Sequence, residues 1–216
     1  MIKIGKDISS FSTYSCHPTT RNELVKLIRN RIAKEGNNCD LNDIDVSQID
    51  NMTSLFTGSS FDGNISEWDV SKVKRMNYMF YDSKFTGDIS KWNVSNVKEM
   101  GFMFYGSKFN GNISRWNVSN VNTMHSMFLY SEFNNNISRW NVSNVTDMTG
   151  MFMVSKFNKD ISKWNVSNVK YMARMFQNSV FDKDISNWKI NKDCDTSTMF
   201  TGCPIKEEHK PKSLQK

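Results

Sequence analysis

Three histidines and four cysteines are the residues whose types could support acid–base, nucleophilic or metal chemistry. His17, His125 and His209 are scattered along the chain, and no Ser-His-Asp order, phosphate-binding glycine loop or H-E-x-x-H pattern accompanies them. Cys194 and Cys203 could join His209 as metal ligands, but their spacing fits no zinc signature. Cys16 and Cys39 complete the set, so every cysteine lies toward an end of the chain. An enzyme needs converging groups with tuned ionisation. The sequence offers none, and the expectation is a non-enzymatic protein with no cofactor and no metal.

Charge is the second chemical resource. Lys91, Arg115, Arg139 and Lys163 recur every 24 residues, in a series that begins with Glu67 and ends with Asn187. Like charges stacked at a rung spacing of about 4.8 Å repel one another. Two readings follow: a solvated face relieved by nearby Asp and Glu, or a basic stripe that receives an acidic protein partner. Outward aromatics are absent from this series, which argues against nucleic acid. The net charge of +6 is diffuse and concerns solubility. A second series, Tyr81, Tyr105, Leu129, Met153 and Gln177, has Tyr78 and Phe102 near by. It would either pack between adjacent units or form an exposed patch for self-association.

The elements that must position these residues follow from a strict period. The six tryptophans, Trp68, Trp92, Trp116, Trp140, Trp164 and Trp188, are 24 residues apart with no insertion. The frame W-x-V-S-x-V-x-x-M-x-x-M-F-x-x-S-x-F-x-x-x-I-S extends upstream to Ile44 in the Trp place and frays after Trp188. Fourteen Met, fifteen Phe and six Trp occupy places that aliphatic residues fill in most cores. No unit of this length buries its own faces, so neighbours must stack.

Within a unit, Ile113-x-x-Trp116-x-Val118 predicts a short strand, and stacked units a parallel sheet. Val121, Met124, Met127 and Phe128 fall at helical spacing. The expected fold is therefore a repeat solenoid, LRR-like, with short parallel strands on one side, short helices on the other and about seven 24-residue coils. A plain right-handed β-solenoid is the alternative, with the Val-to-Phe stretch irregular.

An open solenoid needs caps. Thr20-Arg21-Asn22-Glu23 reads as a capping box, with Leu24, Leu27, Ile28 and Ile32 on one helical face and Gly36 beyond it. The expected organisation is an N-terminal cap over residues 1–43 with a helix at about 20–34, repeats over 44–202, and a C-terminal cap and flexible tail over 203–216.

The string Trp140-Asn141-Val142-Ser143-Asn144-Val145 with Met148, Met151, Phe152, Ser155, Phe157, Ile161 and Ser162 resembles the BspA-type repeat, also described as the DUF285 or Mycoplasma-type 25-residue repeat. The resemblance covers roughly residues 41–200. It implies a leucine-rich-repeat-like right-handed solenoid used for protein binding, often adhesion at a cell surface. Many relatives carry export or lipoprotein signals. Here Met1–Asp7 has no apolar core of a signal peptide, and Cys16 lacks the apolar stretch of a lipobox.

No apolar run approaches the ~20 residues of a membrane span. Reduced thiols and a cytosolic or virion-associated protein are the corresponding expectation, and the Asn-x-Ser triplets are read as coincidental glycosylation matches. A structural component of a virion or cell envelope is the alternative function.

Overall fold

The computed structural model describes residues 14–215. The first thirteen residues of the expected N-terminal cap, and Lys216 of the expected tail, lie outside them. Helix α1 spans Arg21–Glu35. Its capping box is reciprocal: the Thr20 hydroxyl accepts from the Glu23 N–H, and the Glu23 carboxylate accepts from the Thr20 N–H. Gly36, at φ 88°, ends the helix. Leu24 and Ile28 are buried against the first unit, and the Arg21 side chain donates to the main-chain oxygen of Thr53.

From there the chain advances in 24-residue coils that stack in register. Parallel bridges join Asn51 to Arg75, Arg75 to Glu99, Glu99 to Thr123, Thr123 to Asp147, Asp147 to Tyr171 and Tyr171 to Asp195. These bridges lie before the Met-Phe stretch and outside the Ile-x-x-Trp-x-Val segment in which the sequence predicts a strand. That segment is drawn together by turns, with Trp116 N donating to Ile113 O at 3.1 Å and Val121 N to Val118 O at 3.0 Å.

The stretch predicted to be helical is also a run of turns. Alternate N–H groups there leave the unit altogether: Met124, Ser126, Phe128 and Tyr130 donate to Asp147, Thr149, Met151 and Met153 of the next coil. The intervening Met127, Leu129 and Ser131 donate three residues back. A helix would use these donors internally, four residues back. Bonding between coils takes them instead, and two residues four apart in each coil are left-handed there.

The left-handed positions form two columns. One is Ser54, Tyr78, Phe102, Ser126, Gly150, Arg174 and Thr198; the other is Gly58, Asp82, Gly106, Tyr130, Val154, Asn178 and Gly202.

One continuous core runs from Leu24 to Ile205. Two phenylalanine columns line it. Phe80, Phe104, Phe128 and Phe152 stack at 5.5–5.7 Å between ring centroids, and Phe85, Phe109, Phe133 and Phe157 at 6.2–6.4 Å. Each tryptophan is buried and its Nε1–H donates to a main-chain oxygen of the preceding coil, as Trp116 does to Ile89. The invariant polar letters of the frame have local duties. Buried Ser107 and Ser131 accept, through Oγ, the N–H of Phe109 and Phe133 two residues on.

The far end is closed by the C-terminal segment, which contains short 3₁₀ turns at Glu207–His209 and Lys212–Leu214. Ile205 is buried, the His209 carbonyl accepts from Ile185 N, and the Lys210 ammonium lies 5.8 Å from the Phe200 ring centroid. No helix among the described residues is long and apolar enough to cross a membrane.

Candidate binding groove

The histidines and cysteines do not converge. His17 faces Asp45, His125 faces Asp147 and His209 faces the carbonyl of Asp182. The four cysteines are free thiols, and burial pushes those of Cys194 and Cys203 up. Cys203 donates to Phe181 O, and Cys194 turns to Asp195 O. Among the described residues no group of three His, Cys, Asp or Glu side chains could hold a metal ion.

The basic series is exposed, as inward-facing tryptophans on the C-terminal side of each member require. Its four members are not equivalent. Lys91 is paired with Glu67 at 3.3 Å. Three residues before Lys91 stands Asp88, and three before Lys163 stands Asp160. Both carboxyls lie below the usual range, first because the Ser90 and Ser162 N–H groups bond to them, with the adjacent lysine also contributing. They are ionised at neutral pH and offset their lysines. In the two central coils the equivalent residues are Asn112 and Asn136. Arg115 and Arg139 therefore have no carboxylate partner among the described residues.

Arg115 and Arg139 line one groove of about 630 Å³ together with Asn112, Asn117, Asn136 and Asn141. Each asparagine closes a tight local turn, its Oδ1 accepting a serine N–H two residues on: Ser114, Ser119, Ser138 and Ser143 at 3.0, 3.2, 2.9 and 3.2 Å. The donors fix the amide orientation, since Oδ1 must face the N–H. Each Nδ2 is thereby turned away from the turn, and none of the four has a protein partner among the described residues. Four amide donors and two guanidiniums thus face the groove, while each asparagine Oδ1 already accepts one internal N–H. Asn93, Asn117, Asn141 and Asn165 all close such local turns, and among the described residues no hydrogen bond links their side chains along the stack. The bonds along the stack come from the next asparagine column, where Asn120 Nδ2 donates to Ser95 O and Asn144 Nδ2 to Ser119 O.

The sequence reading missed the asparagines as donors. Its signal was the exchange of Asp88 and Asp160 for Asn112 and Asn136 within one column.

The second candidate series is packed along the axis and partly exposed. Tyr81 stacks on Tyr105 at 4.4 Å and Tyr78 on Phe102 at 4.7 Å, so the rings pack on one another along the axis. They do so outside the core, leaving Tyr81 and Tyr105 half-buried and Tyr78 and Tyr130 exposed. Burial, then the charge and hydrogen bond of Tyr81, push the Tyr105 hydroxyl up. Burial raises the Asp147 carboxyl at the margin of this surface, but the His125 ring and Thr149 outweigh it and hold the group low.

The family model described as Mycoplasma protein of unknown function, DUF285, matches the chain twice, over residues 26–132 and 107–211. No curated protein and no solved structure matches it.

Proposed function

The chain belongs to the DUF285 family of Mycoplasma proteins of unknown function, and from that premise we propose that it is a non-enzymatic, protein-binding solenoid whose central groove receives an acidic segment of a partner. The observation that carries the reading is the local imbalance at Arg115 and Arg139, two exposed guanidiniums surrounded by outward amide donors. Guanidinium is less strongly hydrated than ammonium and presents a planar fork that matches a carboxylate. A continuous core beneath the groove keeps the rungs rigid, so binding does not require the surface to be ordered first.

The test is capture of partners from native lysate or particles by wild type and by an Arg115→Glu/Arg139→Glu variant, identified by mass spectrometry. Near-ultraviolet circular dichroism checks that the variant is folded. A protein held by wild type and lost from the variant supports the reading. Equal retention by both refutes this location and moves the site to the Tyr81/Tyr105 surface or the caps.

A structural role in a particle or envelope is the second reading, favoured by the exposed rings of Tyr78 and Tyr130 beside the stacked tyrosines. Self-association in light scattering that Tyr81→Ser/Tyr105→Ser abolishes supports it. A monomer at high concentration counts against it.

A further inference from the structure

The groove has ends as well as walls. Along the column that contributes Asn112 and Asn136, the next residue on one side is Asp88 and on the other Asp160. All four use one side-chain oxygen in the same way, accepting the N–H of the serine two residues on. The turn is therefore indifferent to Asp or Asn, and the difference is expressed only toward solvent. An asparagine there presents N–H groups, and an aspartate presents a charged oxygen. The adjoining depression, of about 470 Å³, is lined by Asp160 and Asp184 together with Lys183. A surface that accepts anions over two rungs thus gives way on both sides to rungs where an aspartate offsets the lysine.

Resting on the proposed function, we infer that the groove recognises a short acidic motif, two neighbouring carboxylates on an extended segment, and that Asp88 and Asp160 set its length by offsetting Lys91 and Lys163, so that longer polyanions gain no further net attraction. Each carboxylate has its own donor set: Arg115 with Asn112 and Asn117 for one, Arg139 with Asn136 and Asn141 for the other. Glutamates two apart on an extended chain lie on one side at about 6.8 Å, and their flexible stems adapt to rungs about 4.8 Å apart. Beyond each rung an aspartate offsets the lysine, so a third and fourth carboxylate gain little of what the arginines give the first two. Selectivity for short motifs then arises without any contact to the backbone of the ligand.

The experiment titrates ¹⁵N-labelled protein with three probes: a capped peptide bearing two glutamates separated by a glycine, long polyglutamate, and inorganic phosphate alone. The side-chain amide signals of Asn112, Asn117, Asn136 and Asn141 are followed. The expected result is movement of these signals with the short peptide in wild type and none in Arg115→Gln/Arg139→Gln.

Per glutamate pair, polyglutamate should bind wild type no more tightly than the short peptide. In Asp88→Asn/Asp160→Asn it should bind about threefold more tightly, on the scale of exposed charge interactions, with the short peptide gaining less. No signal movement with the peptide overturns the inference. So does movement with phosphate alone, or a wild-type preference for polyglutamate that the aspartate variant leaves unchanged. A positive titration beside an empty partner capture would keep the diacid site and discard the protein-binding reading, so the two failures are distinguishable.

Discussion

The indole Nε1–H of Trp116 donates to the main-chain oxygen of Ile89 at 3.1 Å, tying one coil to the coil before it from inside the core. The tryptophan is 3 % exposed, so its ring contributes apolar burial and its N–H satisfies a carbonyl that water cannot reach. Trp116→Phe removes one of that carbonyl's two donors, the other being the Trp92 N–H at 3.2 Å, and leaves a cavity beside it. The expected cost is about 2–3 kcal/mol, from one lost hydrogen bond plus lost packing. Urea unfolding should show a lower midpoint, whereas Arg115→Ala, exposed and unpaired, should move it by no more than about 0.5 kcal/mol.

Much of this was legible because a stack of 24-residue units repeats its constraints. Trp116 is buried for the same reason as Trp92 and Trp140, so a single period places the inward residues of every coil. The cap at Thr20 was legible because a capping box is local. What the coil does between Val121 and Ser131 was not. Apolar residues at i, i+3, i+6 and i+7 fit a helix, but they fit equally a chain that turns every few residues and sends alternate N–H groups to its neighbour. The discriminating sign was weak: Gly58, Gly106 and Gly202 share one column, and glycine concentrates where φ is positive. At the groove, the side-chain types were legible but their donor directions were not, because the serine N–H that consumes each Oδ1 is fixed only by the turn.

Val154 occupies that column with φ 51°, a conformation a β-branched residue adopts only under strain. Gly106 fills the equivalent place two coils earlier at φ 61°. Val154→Gly relieves about 1 kcal/mol of backbone strain, partly offset by the greater entropy of glycine in the unfolded chain and by lost side-chain contacts. The net effect is a rise in the thermal midpoint of a degree or two, roughly, for a chain of this size. Calorimetry checks it, and a fall would mean that the half-buried valine packs more productively than its backbone suggests.

The N-terminal cap is pinned by Arg31, whose Nη1 donates to both Asp43 oxygens at 2.9 and 3.1 Å while Nη2 reaches Asp40 O. The Asp43 carboxyl is held below the usual range, chiefly by the Arg31 hydrogen bonds and then by the Ser15 hydroxyl. A carboxyl whose folded-state pKa is depressed contributes stability above its unfolded pKa, and loses it as pH falls through the folded value. The loss therefore falls below about pH 4. Thermal midpoints of wild type and Asp43→Asn should differ most near neutrality and draw together as the solution is acidified. A gap independent of pH would show that the ion pair is not its source.

Asn112→Asp/Asn136→Asp separates the groove's chemistry from its architecture. Asp88 and Asp160 show that aspartate closes the same turn, accepting from Ser90 and Ser162 at 2.8 Å. The double substitution therefore preserves the coil, and the thermal midpoint should shift by only a few degrees, roughly, as exposed changes do. Two carboxylates now sit beside Arg115 and Arg139 and compete with any incoming anion. Binding of the diglutamate peptide should fall by about tenfold, since attraction becomes internal neutralisation and the amide donors are lost. Isothermal calorimetry reads the affinity, and the thermal midpoint of the same sample reads the fold. Retained affinity in a folded variant would mean that the arginines act without the asparagines, and that the exchange of Asp for Asn in the central coils carries no recognition.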